Sequence, residues 1–401
     1  MQLPRLTPLA GALALGHHLI KRERAMDTTH DLHPDNRWLA RYPAGGQPLS
    51  SPPEDGIATK ASQRSVRGHA GHPVWHRLAA MGLALFVTIT AGCTSVQAQP
   101  KPDWSLEDMP SQEGRIFLVT GGTSGIGYES AKALAAAGAQ VVIASRNPER
   151  GEEAIASIRQ ETPDAHVQFE AFDLADLASV RALGERLSAT LPHLDGLINN
   201  AGIMEPPERG TSADGFEMQF AVNYLGHFAL TAEMLPLLRK ADAPRVVTLS
   251  SIAAARGAIH FSDLQFEQDY DPAGAYRQSK LACLTFALEL QRRSDAAGWG
   301  IQSIASHPGV SRTNLNASRF ARRILPFLFQ PAAQGALPTL YAATAQDARG
   351  GIYYGPTGMR EVRGPLGFAT VPPAATDAQT ATRLWTVSEE LSGTRFPSAV
   401  R

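Results

Sequence analysis

The 401-residue chain is poor in cysteine, with only Cys93 and Cys283. Two cysteines in such different contexts make no disulfide framework, and no ligand spacing suggests a zinc or other metal site. Their scarcity leaves the redox compartment open. Neither sign of charge dominates, with 37 Lys and Arg against 38 Asp and Glu. No global field draws the chain to nucleic acid, so a phosphate-backbone binder is not expected. No internal repeat is present, and no apolar run is long enough to span a bilayer comfortably. What remains, 43% hydrophobic and 19% charged, suffices for one large α/β core with material left over.

That core is organised around Arg115–Gly127, RIFLVTGGTSGIG. A short apolar strand runs into a glycine-spaced turn that opens a helix over Ile126–Ala137. Residues without a Cβ let backbone turn sharply and approach a pyrophosphate, and the helix aims free N–H groups and its positive end at the same place. By itself such a turn is weak evidence, since a turn that needs positive φ looks alike. From there on, β-type runs at Ile116–Val119, Val141–Ala144, His166–Phe172, Gly196–Ile198, Arg245–Leu249 and Ile301–Ala305 alternate with helical patterns. This predicts a parallel sheet covered on both faces, a doubly wound Rossmann-type α/β fold in a single domain over 105–401.

Tyr276 and Lys280, in AYRQSKLA, stand four apart at the start of a predicted helix and share one face. A nearby ammonium favours phenolate over phenol and draws its pKa down from about 10, so Tyr276 could exchange a proton with an alcohol or carbonyl oxygen. YxxxK alone is common by chance, and its weight comes from its company. Thr120–Gly127, Asp173-Leu174, Asn199-Asn200-Ala201-Gly202, Asn223 in VNYLGHF, Ser250-Ser251, the Tyr276/Lys280 pair, and Pro308-Gly309 with Thr313 follow in one order. In this the chain resembles the short-chain dehydrogenase/reductase family from about Arg115 to Phe396. The long insertion between Ser251 and Tyr276, with IHFSDLQ, and the C-terminal GIYYGPTGMREVRGP look most like its retinol dehydrogenase and WW-domain oxidoreductase branch.

The resemblance implies a sheet of about seven strands and reversible hydride transfer between NADP(H) and a carbonyl or alcohol. Tyr276 would be the general acid/base, with Lys280 tuning it and binding the nicotinamide ribose. Ser251 would hydrogen-bond the substrate oxygen, and Asn223 would hold a relay water. The cofactor would lie on Gly121, Thr123, Ser124, Gly125, Ile126, Gly127, Asp173, Leu174, Asn200, Ala201, Gly202, Pro308, Gly309 and Thr313, besides Tyr276 and Lys280. At the end of the second strand, VVIASRN offers Arg146 where an NAD site would place a carboxylate. A guanidinium pairs well with a phosphate, which favours NADP(H), with NAD(H) as the alternative and an ordinary surface arginine as the bland reading. Thr123 and Ser124 add no second basic residue. The same fold also serves epimerases, dehydratases and enoyl-type reductases, and a cofactor-sensing protein could keep the pocket. The acid/base set argues against the last. Cys283, His227, His260 and His307 read as packing or cleft-lining residues.

The ends of the domain carry the remaining expectations. Residues 1–77 mix Pro, Gly, Ser and seven of the twelve histidines without apolar period, and are expected to be disordered. Within the segment 78–98, Leu78–Ala91 is the length of a signal-peptide core, and Ala91-Gly92-Cys93 resembles a lipoprotein cleavage site. A signal so far from Met1 suggests translation starting near Met81; the competing reading is an apolar helix packed on the domain. Membrane association with the domain facing the cytoplasm is therefore expected, a plain cytoplasmic location being the alternative. SRFARRILPFLF, within Gly309–Gln330, reads as a substrate lid, a surface helix or a membrane-dipping segment. Its Leu, Ile and Phe suggest an apolar small-molecule substrate, and the family resemblance suggests a homo-oligomer.

Overall fold

The computed structural model describes residues 103–311 and 329–397. The expected N-terminal extension and apolar segment, the segment read as a lid and Thr313 lie outside those residues. The described residues form eight strands: β1 (Ile116–Thr120), β2 (Gln140–Ser145), β3 (Val167–Ala171), β4 (Gly196–Asn199), β5 (Arg245–Leu249), β6 (Gln302–Ser306), β7 (Tyr353–Pro356) and β8 (Leu366–Phe368). They form one sheet in the order β3-β2-β1-β4-β5-β6-β7-β8. The first seven run parallel, and β8 pairs antiparallel to β7. The six strands read from apolar runs all form, with ends shifted by a residue at most. The hairpin β7–β8 takes the sheet one strand beyond the expected seven, from a stretch so punctuated by Gly and Pro that no strand period shows.

The principal helices are α1 (Gly125–Ala136), α2 (Pro148–Glu161), α3 (Leu177–Thr190), α4 (Gly226–Leu238), α5 (Pro272–Ala297), α6 (Ala332–Thr344) and α7 (Ala378–Ser392). Alternation along β1 shows why they split into two layers. Phe117 and Val119 pack with Leu134, Ile158 and Tyr341 from α1, α2 and α6. Ile116 and Leu118 belong instead with Leu183, Phe228, Phe286 and Trp385 from α3, α4, α5 and α7. On that second face Trp385 lies 5.1, 5.9 and 4.5 Å, centroid to centroid, from Phe228, Phe286 and Phe396. At the edge of the sheet, the β3 carbonyls of Val167 and Ala171 accept from Arg159 (2.9 Å) and Arg186 (3.0 Å).

Strand order reverses between β1 and β4. Connections leaving the two strands diverge to opposite faces and open a crevice at their carboxyl ends, where doubly wound sheets bind ligands. Among the described residues no helix is long and apolar enough to cross a membrane.

Candidate active site

The crevice is a cavity of about 440 Å³. One end is the turn between β1 and α1, where Gly121 (φ +67°) and Gly125 (φ +57°) hold left-handed backbone. Gly127 has a different reason to be glycine: a Cβ there would lie 2.3 Å from Nδ2 of Asn200 and 2.5 Å from the Gly121 carbonyl oxygen. Ser124 is the N-cap of α1, yet its side chain makes no capping bond. The N–H groups of that first turn are thus left for an anion.

Asn200 and Ala201 are tied to the turn through Thr120. Nδ2 of Asn200 donates to the Thr120 carbonyl (2.8 Å), and the backbone N–H groups of Asn200 and Ala201 both donate to the Thr120 hydroxyl at 3.0 Å. The hydroxyl proton then goes to Nε2 of His227 at 2.8 Å rather than to the Ile198 carbonyl at 3.3 Å. Burial holds the His227 pKa down to about 4 against the pull of the Asn223 carbonyl, with the Lys280 charge adding to the depression. The neutral ring accepts at Nε2 and donates from Nδ1 to that carbonyl at 3.0 Å.

At the opposite end, α5 begins at Pro272 and is capped by Asp271, whose carboxylate accepts the N–H groups of Ala273 (3.1 Å) and Gly274 (2.9 Å). One turn in come Tyr276, half-buried, and Lys280, 6% exposed. Nζ of Lys280 donates to the Leu249 carbonyl (3.0 Å), and the Lys280 carbonyl accepts the Ser250 hydroxyl (2.7 Å). Two bonds thus peg the end of β5 to the helix. The next residue, Ser251, accepts the N–H of Ala253 (3.2 Å) at the head of a short 3-10 turn. Its own hydroxyl proton stays available to a ligand.

Residues 115–323 match the short chain dehydrogenase family. The chain belongs to this family. It is 40% identical over 289 residues to retinol dehydrogenase 12 of Mus musculus, covering 71% of this chain and 88% of the relative. To polyprenol dehydrogenase of Mus musculus it is 40% identical over 297 residues, 71% and 86% of the two chains. Among solved structures, an uncharacterized protein from Mycobacterium paratuberculosis superposes with TM-score 0.63 at 40% identity, over 73% of this chain and 99% of that one. A short chain dehydrogenase of Shigella flexneri complexed with NADP matches with TM-score 0.50 at 27% identity, over 61% and 98%. The chain is an NAD(P)-dependent oxidoreductase of the retinol dehydrogenase branch, acting on alcohols.

In this dehydrogenase Gly121, Thr123–Ile126, Arg146, Asp173, Leu174, Asn200–Gly202, Ser251, Tyr276, Lys280, Pro308 and Gly309 all line the one cavity. Gly127 and Asn223 stand behind its wall. Asn223 lies in a π-helical turn, Ala221–Leu225, that leads into α4. Its Oδ1 accepts from the Ile203 N–H (2.8 Å), while Nδ2 donates to the Ile203 carbonyl (3.0 Å) and the Ser279 hydroxyl (2.9 Å). Each polar atom of the side chain thus has a partner in the protein, and the backbone carbonyl of Asn223 accepts from His227 and Cys283. Cys283 is buried as the packing reading expects, and its thiol, pushed up in pKa by burial, donates to that carbonyl at 3.1 Å.

Arg150 also lines the cavity, beside Arg146, and was not foreseen. Asn147 caps α2 by accepting the Arg150 N–H (2.7 Å), and Pro148 starts the helix. The available signal is the Asn-Pro cap, which starts α2 directly after β2 and puts Arg150 in its first turn.

Proposed function

We propose that this dehydrogenase transfers hydride between NADP(H) and the carbonyl or alcohol carbon of an apolar small molecule. The observation that carries this reading is that Ser251, Tyr276 and Lys280 meet at one end of the cavity whose other end holds the glycine turn and two arginines. The uncapped start of α1 and the left-handed backbone of Gly121 and Gly125 in the turn before it fit a dinucleotide pyrophosphate. Arg146 and Arg150 fit a 2′-phosphate, and the Shigella neighbour complexed with NADP supports that choice. Retinol and polyprenol, in the names of two relatives, are both apolar alcohols, which supports the substrate class.

Hydride would be supplied or taken by the nicotinamide cofactor when bound. The protein's part is to hold the oxygen and move its proton. Ser251 donates to the substrate oxygen, a bond that strengthens as negative charge grows there. Tyr276 delivers the proton in reduction and removes it in oxidation, with Lys280 one helical turn away on the same face of α5. We also propose membrane association through the apolar run Leu78–Ala91 with the domain facing the cytoplasm; in protease protection on intact cells the domain should be digested only after the inner membrane is lysed.

The test of the reaction is NADPH and NADH oxidation with retinal and medium-chain aldehydes, with Tyr276→Phe alongside. Turnover should prefer NADPH and fall by about 10²- to 10⁴-fold in the variant, while NADPH still binds. Turnover that survives the change sinks the mechanism. Tight NADPH binding without turnover on any carbonyl favours an epimerase or a cofactor sensor instead.

A further inference from the structure

Behind Pro308 and Gly309, the connection from β7 to β8 carries three consecutive non-glycine residues in left-handed backbone: Met359 (φ 47°), Arg360 (φ 56°) and Glu361 (φ 65°). Such a run is costly and persists only where its surroundings over-determine it. Glu361 does this. Its Oε1 accepts the N–H (2.8 Å) and the hydroxyl (2.5 Å) of Thr370, beyond β8. Its Oε2 lies 3.3 Å from Nε2 of His307, a wholly buried ring directly after β6.

Nδ1 of His307 accepts the N–H of Gly309 at 3.2 Å. The imidazole proton therefore sits on Nε2 and faces the carboxylate, off the axis of a linear hydrogen bond. Burial opposes the charge on Glu361, but the facing His307 N–H and the hydrogen bonds from Thr370 outweigh it and bring the pKa down to about 2. The next residue makes a second link, since the Val362 carbonyl accepts the N–H of Val310 at 2.8 Å. Packing leaves no slack: a Cβ on Gly309 (φ +60°) would come within 2.3 Å of the Val362 oxygen, and one on Gly355 within 2.0 Å of Nε2 of His307.

One carboxylate thus holds a strained loop and, through His307 and Val362, the backbone of Pro308–Val310. Pro308 and Gly309 line the cavity with Ser251 and Tyr276. We propose that Glu361 is a positioning residue for hydride transfer, fixing the Pro308–Val310 wall against which the nicotinamide end of the cofactor lies. This rests on the NADP(H) reading above.

The experiment uses Glu361→Gln, which keeps the shape and the Thr370 contacts but removes the charge, and His307→Asn, which is too short to reach Glu361. Backbone hydrogen exchange of the cofactor-free full chain is measured together with NADPH affinity. Exchange at Gly309 and Val310 should rise in both variants while β1 and β4 keep wild-type protection. The Kd for NADPH should rise about tenfold, within the range by which residues in contact couple to one another. Local exchange and Kd within about twofold of wild type in both variants overturn the inference. So does exchange raised uniformly across the sheet, which marks a merely structural role. Failure of the wild type to bind NADPH overturns the cofactor reading and this inference with it, whereas unchanged variants of a wild type that binds NADPH overturn the inference alone.

Discussion

Replacing Gly127 by alanine sets two opposed effects against each other. In an open helix the change would stabilise by about 1 kcal/mol, because glycine is the poorer helix former. At this position the new methyl carbon would stand 2.3 Å from Nδ2 of Asn200 and 2.5 Å from the Gly121 oxygen. The amide of Asn200 could swing away, but only by giving up its 2.8 Å bond to the Thr120 carbonyl, a loss of about 1 kcal/mol. The Gly121 oxygen is backbone and moves only if the turn moves. Overpacking of this kind costs about 1–3 kcal/mol, so the net penalty after the helix gain is also about 1–3 kcal/mol. If it falls on the turn, the Kd for NADPH rises about 5- to 150-fold. Fluorescence titration with NADPH and thermal melting measure the two quantities. Gly114 is the control, with positive φ (+77°) but nothing within 4 Å of its Cβ position. Gly114→Ala should lower Tm slightly and leave NADPH affinity unchanged. Wild-type NADPH affinity in Gly127→Ala, or a raised Tm, would refute the reasoning.

Arg146→Ala and Arg150→Ala should each weaken NADPH binding by about 10- to 100-fold with NADH binding unchanged; equal losses for both cofactors would remove the arginines from the phosphate site. His227 predicts a pH dependence. Its folded pKa is about 4 against an ordinary 6.5, so between those values the unfolded chain takes up a proton that the folded chain refuses. Stability is full above the ordinary value and declines as pH falls toward 4, by an amount on the order of 3 kcal/mol. Urea midpoints at neutral and mildly acid pH should show this decline in the wild type and a shallower one in His227→Gln. Trp385→Ala, emptying the cluster of Phe228, Phe286 and Phe396, should cost about 3–5 kcal/mol in urea unfolding. NADPH affinity should be unaffected, because Trp385 does not line the cavity.

The parts of the fold and site that were legible in the sequence have local causes. Strands buried on both faces are continuous apolar runs such as Val141–Ala144, and the Gly121–Gly127 turn carries its steric demands in its own glycines. Tyr276 and Lys280 meet because helical spacing alone brings them together. What stayed hidden depends on contacts distant in sequence. The Glu361–His307 contact spans two strand ends. Asn223 engages Ile203 and Ser279, partners 20 and 56 residues away that no local pattern reveals. Arg150 is placed by the helix start at Asn147 and Pro148, a local cue that carries no mark of the cavity it faces. Strand β8 is three residues long and is held by its partner rather than by its own sequence.

Arg159 and Arg186, which reach β3 from α2 and α3, bear on how the protein behaves in a crowded solution. An outermost strand exposes a row of unpaired backbone groups, an invitation for another chain to extend the sheet. Here the outward carbonyls of Val167 and Ala171 are already taken by guanidinium groups from the protein's own helices α2 and α3. A strand arriving from a neighbouring molecule would have to displace two cations before it could register. The opposite border offers only the short β8 as a template. Self-association by sheet extension is thereby discouraged at both borders, and the folded domain is guarded against fibrillar growth by side chains that have no part in its chemistry.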